Sequence, residues 1–288
     1  MMTPNMISRR QFGTIALAGA AAPLFGKPDS KVKGVMIGAQ TYSFRDRSLD
    51  DAIKAMSEIG LSYAELFSGH IEPPKGTPAE EVKKWRTSPE SLQQMKQIRR
   101  KFSDAGIRIY ALNYSFRKNH TDEEVLHGME MAKTLGTKYI TASSTVDQAA
   151  RLNDLAGKAG VFVAMHNHDH TENPNEYATP ESFAKAMEGH PNIRLNLDIG
   201  HFTAANYDPV DYLTKHHDKI VTLHIKDRKK NHGPNMPFGQ GDTQIKEVLV
   251  LLRDKKWQIP AMIEYEYKGA DTVEEVRKSY EFMKQALA

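Results

Sequence analysis

Gly160-Val161-Phe162-Val163-Ala164-Met165-His166-Asn167-His168 is the stretch on which the fold turns. It opens with a glycine just after a helical pattern, runs through five apolar residues without alternation, and ends on a histidine. A strand that is apolar throughout is covered on both faces, as strands of a parallel sheet are. The glycine provides a left-handed cap for the helix before it, where a Cβ would clash. Gly60, Gly106 and Gly136 stand at the same kind of junction, so a unit of helix, glycine and strand repeats along the chain.

Working outward, the same reading gives eight strands: Val35-Tyr42, Ser62-Phe67, Ile107-Leu112, Lys138-Ala142, Val161-His166, Ile193-Asp198, Ile220-Lys226 and Ile259-Glu266. Helical patterns follow them at Leu49-Ile59, Pro89-Asp104, Asp122-Leu135, Val146-Ala159, Pro180-Glu188, Pro209-His217, Thr243-Lys256 and Thr272-Leu287. In the second of these, Leu92, Met95, Ile98, Arg99 and Phe102 have the spacing of three and four that turns one face to a sheet. Such alternation makes either a closed barrel or an open doubly wound sheet. Eight units favour closure into a single (β/α)8 TIM barrel. An open sheet would carry a glycine-rich phosphate loop after its first strand, and Ala39-Gln40-Thr41-Tyr42-Ser43-Phe44 has none. Two long loops, Ser68-Ser88 and Asp227-Asp242, leave the mouth side and read as ordered rims or lids.

Closure would gather the C-terminal tips of the strands at one mouth. Four of those tips suit a divalent cation: His166, Asp198, His224 and Glu264. His166 opens a run with His168 and His170 at period two, which is either a ligand-bearing strand end or a solvated histidine-rich turn. Asp198 ends an apolar strand, where an acid needs a partner, a metal or a helix to cap; Gly200-His201 after it reads as a turn. His201, three residues on, reaches the same cavity or supports a ligand from behind. In Val221-Thr222-Leu223-His224-Ile225-Lys226-Asp227-Arg228 the alternation aims Thr222, His224 and Lys226 at one face. A single such histidine is ordinarily a satisfied core residue, but Asp198 and Glu264 give this one company. Glu264 and Glu266 likewise share a face, so a cation sits near them, one of the two has a raised pKa, or Glu266 belongs to the rim.

The first residues read as an address. Ser8-Arg9-Arg10-Gln11-Phe12 precedes a weakly apolar, small-residue run from Gly13 to Phe25, the pattern of a twin-arginine export signal over residues 1–28, with the barrel over 29–288. That run is too short and too rich in Ala and Gly for a stable membrane anchor. The expected location is therefore exported, in the periplasm. Removing residues 1–28 takes three cations and no acid, leaving 36 basic and 36 acidic side chains. A neutral domain lacks the electrostatic footprint of a nucleic-acid binder. With no cysteine, disulfides and thiolate sites are excluded, and a metal must be held by imidazole and carboxylate.

Taken in order, Gln40-Thr41-Tyr42-Ser43, Tyr63-Ala64-Glu65-Leu66, His166-Asn167-His168, Leu197-Asp198-Ile199-Gly200-His201, Leu223-His224-Ile225-Lys226-Asp227, Gly239-Gln240-Gly241-Asp242 and Ile263-Glu264 resemble the xylose isomerase-like TIM barrels. That group includes sugar isomerases and epimerases, inosose dehydratase and endonuclease IV-type enzymes. The resemblance implies a Mn, Co, Zn or Mg ion held by four side chains from strands five to eight, and a carbohydrate as the small-molecule partner. Asp198, His224 and Glu264 match that ligand set, while His166 stands where many epimerases place a glutamate. The symmetrical exchange of protons by two metal-bound glutamates therefore does not carry over. The resemblance also makes Glu172, six residues beyond His166, and His201 substrate contacts. Glu264 and Glu172 are then the candidate bases. Lys226 is a further catalytic candidate; Lys226 and Glu65 are substrate contacts or supports, Arg228 is a substrate contact, and Tyr42 and Phe44 either stack on a sugar face or pack as ordinary aromatics of the rim. A divalent cation that chelates a carbonyl and a neighbouring hydroxyl stabilises an enediolate. Reprotonation then gives isomerisation or epimerisation, and loss of a β-leaving group gives dehydration or cleavage of a 3-keto-glycoside. The alternatives are an endonuclease IV-like nuclease, which would need a histidine where Asn113-Tyr114 stands, and a non-catalytic sugar-binding barrel. Assembly into a homo-oligomer is left open.

Overall fold

The computed structural model of the protein describes residues 27–288; the twin-arginine leader expected in 1–28 lies almost wholly outside them. Eight parallel strands form the barrel: β1 (Val35–Gln40), β2 (Tyr63–Phe67), β3 (Arg108–Asn113), β4 (Tyr139–Ala142), β5 (Phe162–His166), β6 (Ile193–Asp198), β7 (Ile220–Ile225) and β8 (Ala261–Ile263). Each pairs with its neighbours in chain order, and β8 pairs with β1 through Ile263 and Ala39, which closes the ring. A short antiparallel strand, Lys31–Val32, precedes β1 and folds back on it.

The helices that follow are α1 (Leu49–Ile59), α2 (Pro89–Asp104), α3 (Asp122–Leu135), α4 (Ala149–Ala159), α5 (Pro180–Met187), α6 (Pro209–His216), α7 (Ile245–Lys255) and α8 (Thr272–Ala286). Local chemistry sets their limits. Thr121 and Glu124 form a reciprocal capping box at the start of α3. At its end Gly136 takes φ +90°, the left-handed cap its position in the sequence predicts. In α2, Met95, Ile98 and Phe102 are buried, whereas Arg99, read as part of the same face, is exposed. The apolar core fills the layer between sheet and helices.

Several boundaries differ from expectation, and three differences bear on the mouth of the barrel. The first strand stops at Gln40 because Thr41–Phe44 curls into a 3-10 turn, which buries Phe44 in the core and withdraws it as a sugar-stacking face. The eighth begins only after Pro260, whose missing N–H cannot join the ladder. Ile199–Ala204, read as a turn, is a short helix. The two long loops are ordered: the first carries an extra helix, Ala79–Arg86, and the second a small hairpin pairing Asp227–Arg228 with Asn235–Met236. Among the described residues no helix is long and apolar enough to cross a membrane.

Candidate metal centre

Sheet register brings the expected ligands together. Asp198 on β6 lies beside His224 on β7, Met262 on β8 pairs with His224, and Glu264 follows one residue past the end of β8. His166 closes β5, whose last pair is with Asn196 of β6. His166 Nε2 is 3.4 Å from Asp198 Oδ2 and 3.9 Å from Glu264 Oε2; His224 Nδ1 is 3.1 Å from Glu264 Oε2 and 4.0 Å from Asp198 Oδ2. One donor atom from each of the four lies within 4.8 Å of all the others, and all four residues are buried.

These residues fit a divalent ion. Asp198 Oδ2 and His166 Nε2 are buried and make no well-formed hydrogen bond; their nearest charge contacts are with each other at 3.4 Å and of Asp198 Oδ2 with Lys226 Nζ at 3.2 Å, the condition of atoms arranged to meet something else. Asp198 Oδ1, by contrast, accepts from His201 N at 2.7 Å and caps the short helix. The capping role and the ligand role, alternatives in the sequence, are thus divided between two oxygens of one carboxylate. Behind the ligands, His224 Nε2 lies 3.0 Å from both oxygens of Glu65. A carboxylate at the far nitrogen fixes the ring and leaves Nδ1 for the ion. Glu65 also accepts from Thr141 Oγ1 at 2.7 Å and Gln40 Nε2 at 3.2 Å. It is fully buried and supports His224, the second of the two parts the sequence left open for it.

Asn167 locks the strand tips. Its side chain donates to Asp198 O at 3.1 Å and accepts from Asp198 N at 2.8 Å. With Asn167 turned outward to β6, His166 and His168 both turn to the cavity, as the period of two requires. The pattern ends there. His170 and Glu172 are exposed, 3.7 Å apart, and the Glu172 side chain is 73% accessible. Glu172 is not brought to the site, because the strand ends at His166 and the chain turns away beyond His168.

The cavity above the ligands measures about 290 Å³ and is lined by Tyr42, His201 and Lys226, as expected, and also by Gln40, Asn113, Ser143, His168 and Glu266. Lys226 Nζ sits 2.6 Å from Glu266, 2.8 Å from Glu264 and 3.2 Å from Asp198. Burial opposes its charge, but the three carboxylates outweigh burial and raise its pKa, so it stays an ammonium. Burial likewise opposes charge on His224, yet Glu264 and Glu65 hold its pKa well above the ordinary imidazole value. Burial would raise Glu264 and Asp198, but for Glu264 the charges of His224 and Lys226, and for Asp198 those of Lys226 and His201, hold both below it. Burial, with the charges of His166 and His201, pushes His168 down to about 3.

Arg228 does not reach the cavity. Its Nη1 donates to Asp169 Oδ1 at 2.7 Å and its Nη2 to Gly233 O at 2.8 Å, while His201 Nδ1 lies 3.1 Å from the same Asp169 oxygen and 2.6 Å from Arg228 Nη1. The expected substrate contact is a brace for His201. Asp227, next to Lys226, accepts from the backbone N–H groups of Gly239 at 2.8 Å, Gly241 at 2.9 Å and Thr243 at 3.2 Å. A Cβ on Gly241 would collide with that carboxylate, so the Gly239-Gln240-Gly241-Asp242 motif clamps the strand end that carries Lys226. Gln40 and Asn113 enter the sequence reading only as part of a motif and as a strand end without histidine, and Ser143 does not enter it at all. They occupy or follow the tips of β1, β3 and β4, and the rule that found the ligands, applied to all eight strands, finds them too.

Comparison with known proteins agrees with this architecture. A family model described as xylose isomerase-like TIM barrel matches residues 53–286. The L-ribulose-5-phosphate 3-epimerase UlaE of Salmonella paratyphi A is 28% identical over 141 residues, 47% of this chain and 47% of that protein, so the match spans about half the length of the curated relative. Among solved structures, IOLI protein with a binding zinc atom superimposes with a TM-score of 0.66 at 19% identity, covering 88% of this chain and 98% of the other. The 3-keto-D-glucoside 4-epimerase YcjR from E. coli gives 0.64 at 13% identity, covering 87% and 99%. With the fold, the ordered motifs and a match over most of its length, the chain belongs to the xylose isomerase-like TIM barrel family.

Proposed function

We propose that the protein is a divalent-metal-dependent enzyme that moves a proton at a sugar carbon next to a carbonyl, giving isomerisation or epimerisation. The observation that carries this reading is the buried set of His166, Asp198, His224 and Glu264 at the barrel mouth, with Asp198 Oδ2 and His166 Nε2 making no well-formed hydrogen bond. Bound among them, Mn, Co, Zn or Mg would polarise a carbonyl and lower the cost of removing the neighbouring proton. The chain's own groups account for the rest. Lys226, an ammonium on the cavity wall, offsets the negative charge of Asp198, Glu264 and Glu266 around the reacting carbon. Glu264 is clamped by His224 and Lys226, which makes it a ligand before a base. Glu266 borders the cavity and is the group placed to take or return a proton. Tyr42, 5.0 Å edge-on from Phe67, offers an aromatic wall for a sugar ring. The epimerase activities in the names of UlaE and YcjR support the same chemistry.

A lyase acting on a keto-sugar or keto-glycoside is the second reading, favoured by His166 in place of a second metal-side glutamate. Elimination needs one base and one acid rather than two matched bases. An export signal in residues 1–28 would place either enzyme in the periplasm.

The test is metal analysis of purified protein followed by incubation with ketopentoses, ketohexoses and keto-glycosides in D2O. Retained mass with incorporated deuterium marks isomerisation or epimerisation, and loss of water or an aglycone marks elimination. Asp198→Asn should lose both metal and exchange. A protein that binds no divalent ion and turns over sugars unchanged in chelator would sink the proposal.

A further inference from the structure

Beside the metal-side cavity lies a second one of about 380 Å³, formed by the loops that follow β3, β4 and β5. The two share Ser143 and His168 as walls, so they are compartments of one cleft. We propose, resting on the sugar chemistry above, that the substrate is an uncharged glycoside: its reacting sugar lies in the first cavity and the attached unit, a second sugar or an aglycone, in the second.

Two features of the cleft carry this. The first is charge. A sugar phosphate would need a free cation, and the cation lining the first cavity, Lys226, is already surrounded by three carboxylates. The second cavity is balanced in number: of its two cations Lys118 has Nζ tied to Asp147 Oδ2 at 3.0 Å, and its two acids are that Asp147 and Glu176, whose carboxylate is 3.8 Å from His168 Nδ1 while Arg117 lines the same wall. A dianion placed there would face as many acids as bases. The second is the lining. The buried Phe116 provides an apolar surface, and Ser143, Ser144, Thr145 and Asn175 set hydroxyl and amide groups around it. Neutral donors and acceptors around an aromatic are suited to a ring bearing hydroxyls. A free monosaccharide would fill the metal-side compartment and leave its neighbour to water.

The test compares Mn-loaded wild type with Ser144→Tyr, which fills the second cavity, and Arg117→Ala, which unbalances it. Affinity by calorimetry and deuterium exchange in D2O are measured for 3-ketoglucose, the 3-keto forms of lactose and trehalose, and D-ribulose 5-phosphate. Melting temperature and bound Mn establish that each variant is folded and loaded. The expected result is a preference for the keto-disaccharides over 3-ketoglucose that falls roughly tenfold or more in Ser144→Tyr. Equal handling of monosaccharide and disaccharide, unmoved by Ser144→Tyr, overturns the subsite while leaving the sugar chemistry intact. Preference for ribulose 5-phosphate that disappears in Arg117→Ala assigns the second cavity to phosphate and overturns the proposal. Silence toward every sugar removes the parent reading, and this one with it.

Discussion

At the mouth of the barrel Asp198, His224, Lys226 and Glu264 carry charge at 6% exposure or less, whereas at the opposite end Arg108, Lys138 and Arg194 keep theirs at the surface and lay it over aromatic rings. Tyr110 stacks on Tyr139 at 5.4 Å and Tyr139 on Phe162 at 5.9 Å, making a ladder across three neighbouring strands. Both ends are built from the same alternating strands, so the difference lies in side chains and not in backbone. Burying ions costs several kcal/mol each even after relaxation, and their attraction returns that only when each one is paired. The lower ladder carries no such burden. Charge at the mouth is therefore a demand of chemistry that the remainder of the barrel must support.

That contrast breaks most sharply at Lys226. Lys226→Met removes, among the described residues, the one cation that faces Asp198, Glu264 and Glu266 together, and leaves His224 alone to offset the buried carboxylates. Metal-free protein should lose about 3–5 kcal/mol in urea unfolding. Saturating Mn should return part of the loss by binding the folded state. A variant as stable as wild type would mean that the mouth is solvated far more than its burial implies.

Glu65→Gln is gentler. The amide keeps the shape behind His224 but gives up the charge that holds the ring, so metal affinity should fall about tenfold to a hundredfold in calorimetric titration. Unchanged affinity would show that Glu65 answers only the metal-free imidazolium.

Most of the barrel could be read from the chain because its signals are local and repeated. Apolar runs, glycine caps such as Gly136 and the tip residues His166, Asp198, His224 and Glu264 each declare themselves within a few positions. Glu172 went wrong because a fixed spacing beyond His166 says nothing of where the chain leaves the strand. Arg228 reads as a substrate contact, and Glu65 as contact or support, because a position near a strand tip does not show how deep along the barrel axis the side chain lies. Asp169 was passed over. Its partners, Arg228 and His201, come from other strands, and only the closed fold reveals that it orients His201.

Asp169 also supplies the pH dependence. Burial would raise its carboxyl pKa, but the hydrogen bonds from His201 and Arg228 outweigh burial and hold it below the ordinary aspartate value. As pH falls, the unfolded chain takes up the proton first. The stabilisation is therefore complete above the ordinary value and is lost as pH drops toward the lower folded one. Asp169→Asn should cost about 1–2 kcal/mol at pH 7 and make the acid limb of the stability profile shallower. A limb of unchanged steepness would place the acid sensitivity elsewhere.

The smallest effect belongs to the lower ladder, and it sharpens the comparison because the expected change is confined to stability. Lys138 Nζ lies 5.4 Å from the ring centres of both Tyr139 and Phe162 while its head remains in water. Exposed cation–aromatic pairs contribute about 0.5–1 kcal/mol. Lys138→Ala should thus lower the melting temperature by about 1–4 °C in a domain of this size. Metal stoichiometry and turnover should stay at the wild-type level, since Lys138 stands at the start of β4 and the ligands stand at the far ends of β5 to β8. A loss of metal in Lys138→Ala would show that the two ends are mechanically linked through the strands, and the division of labour between them would have to be given up.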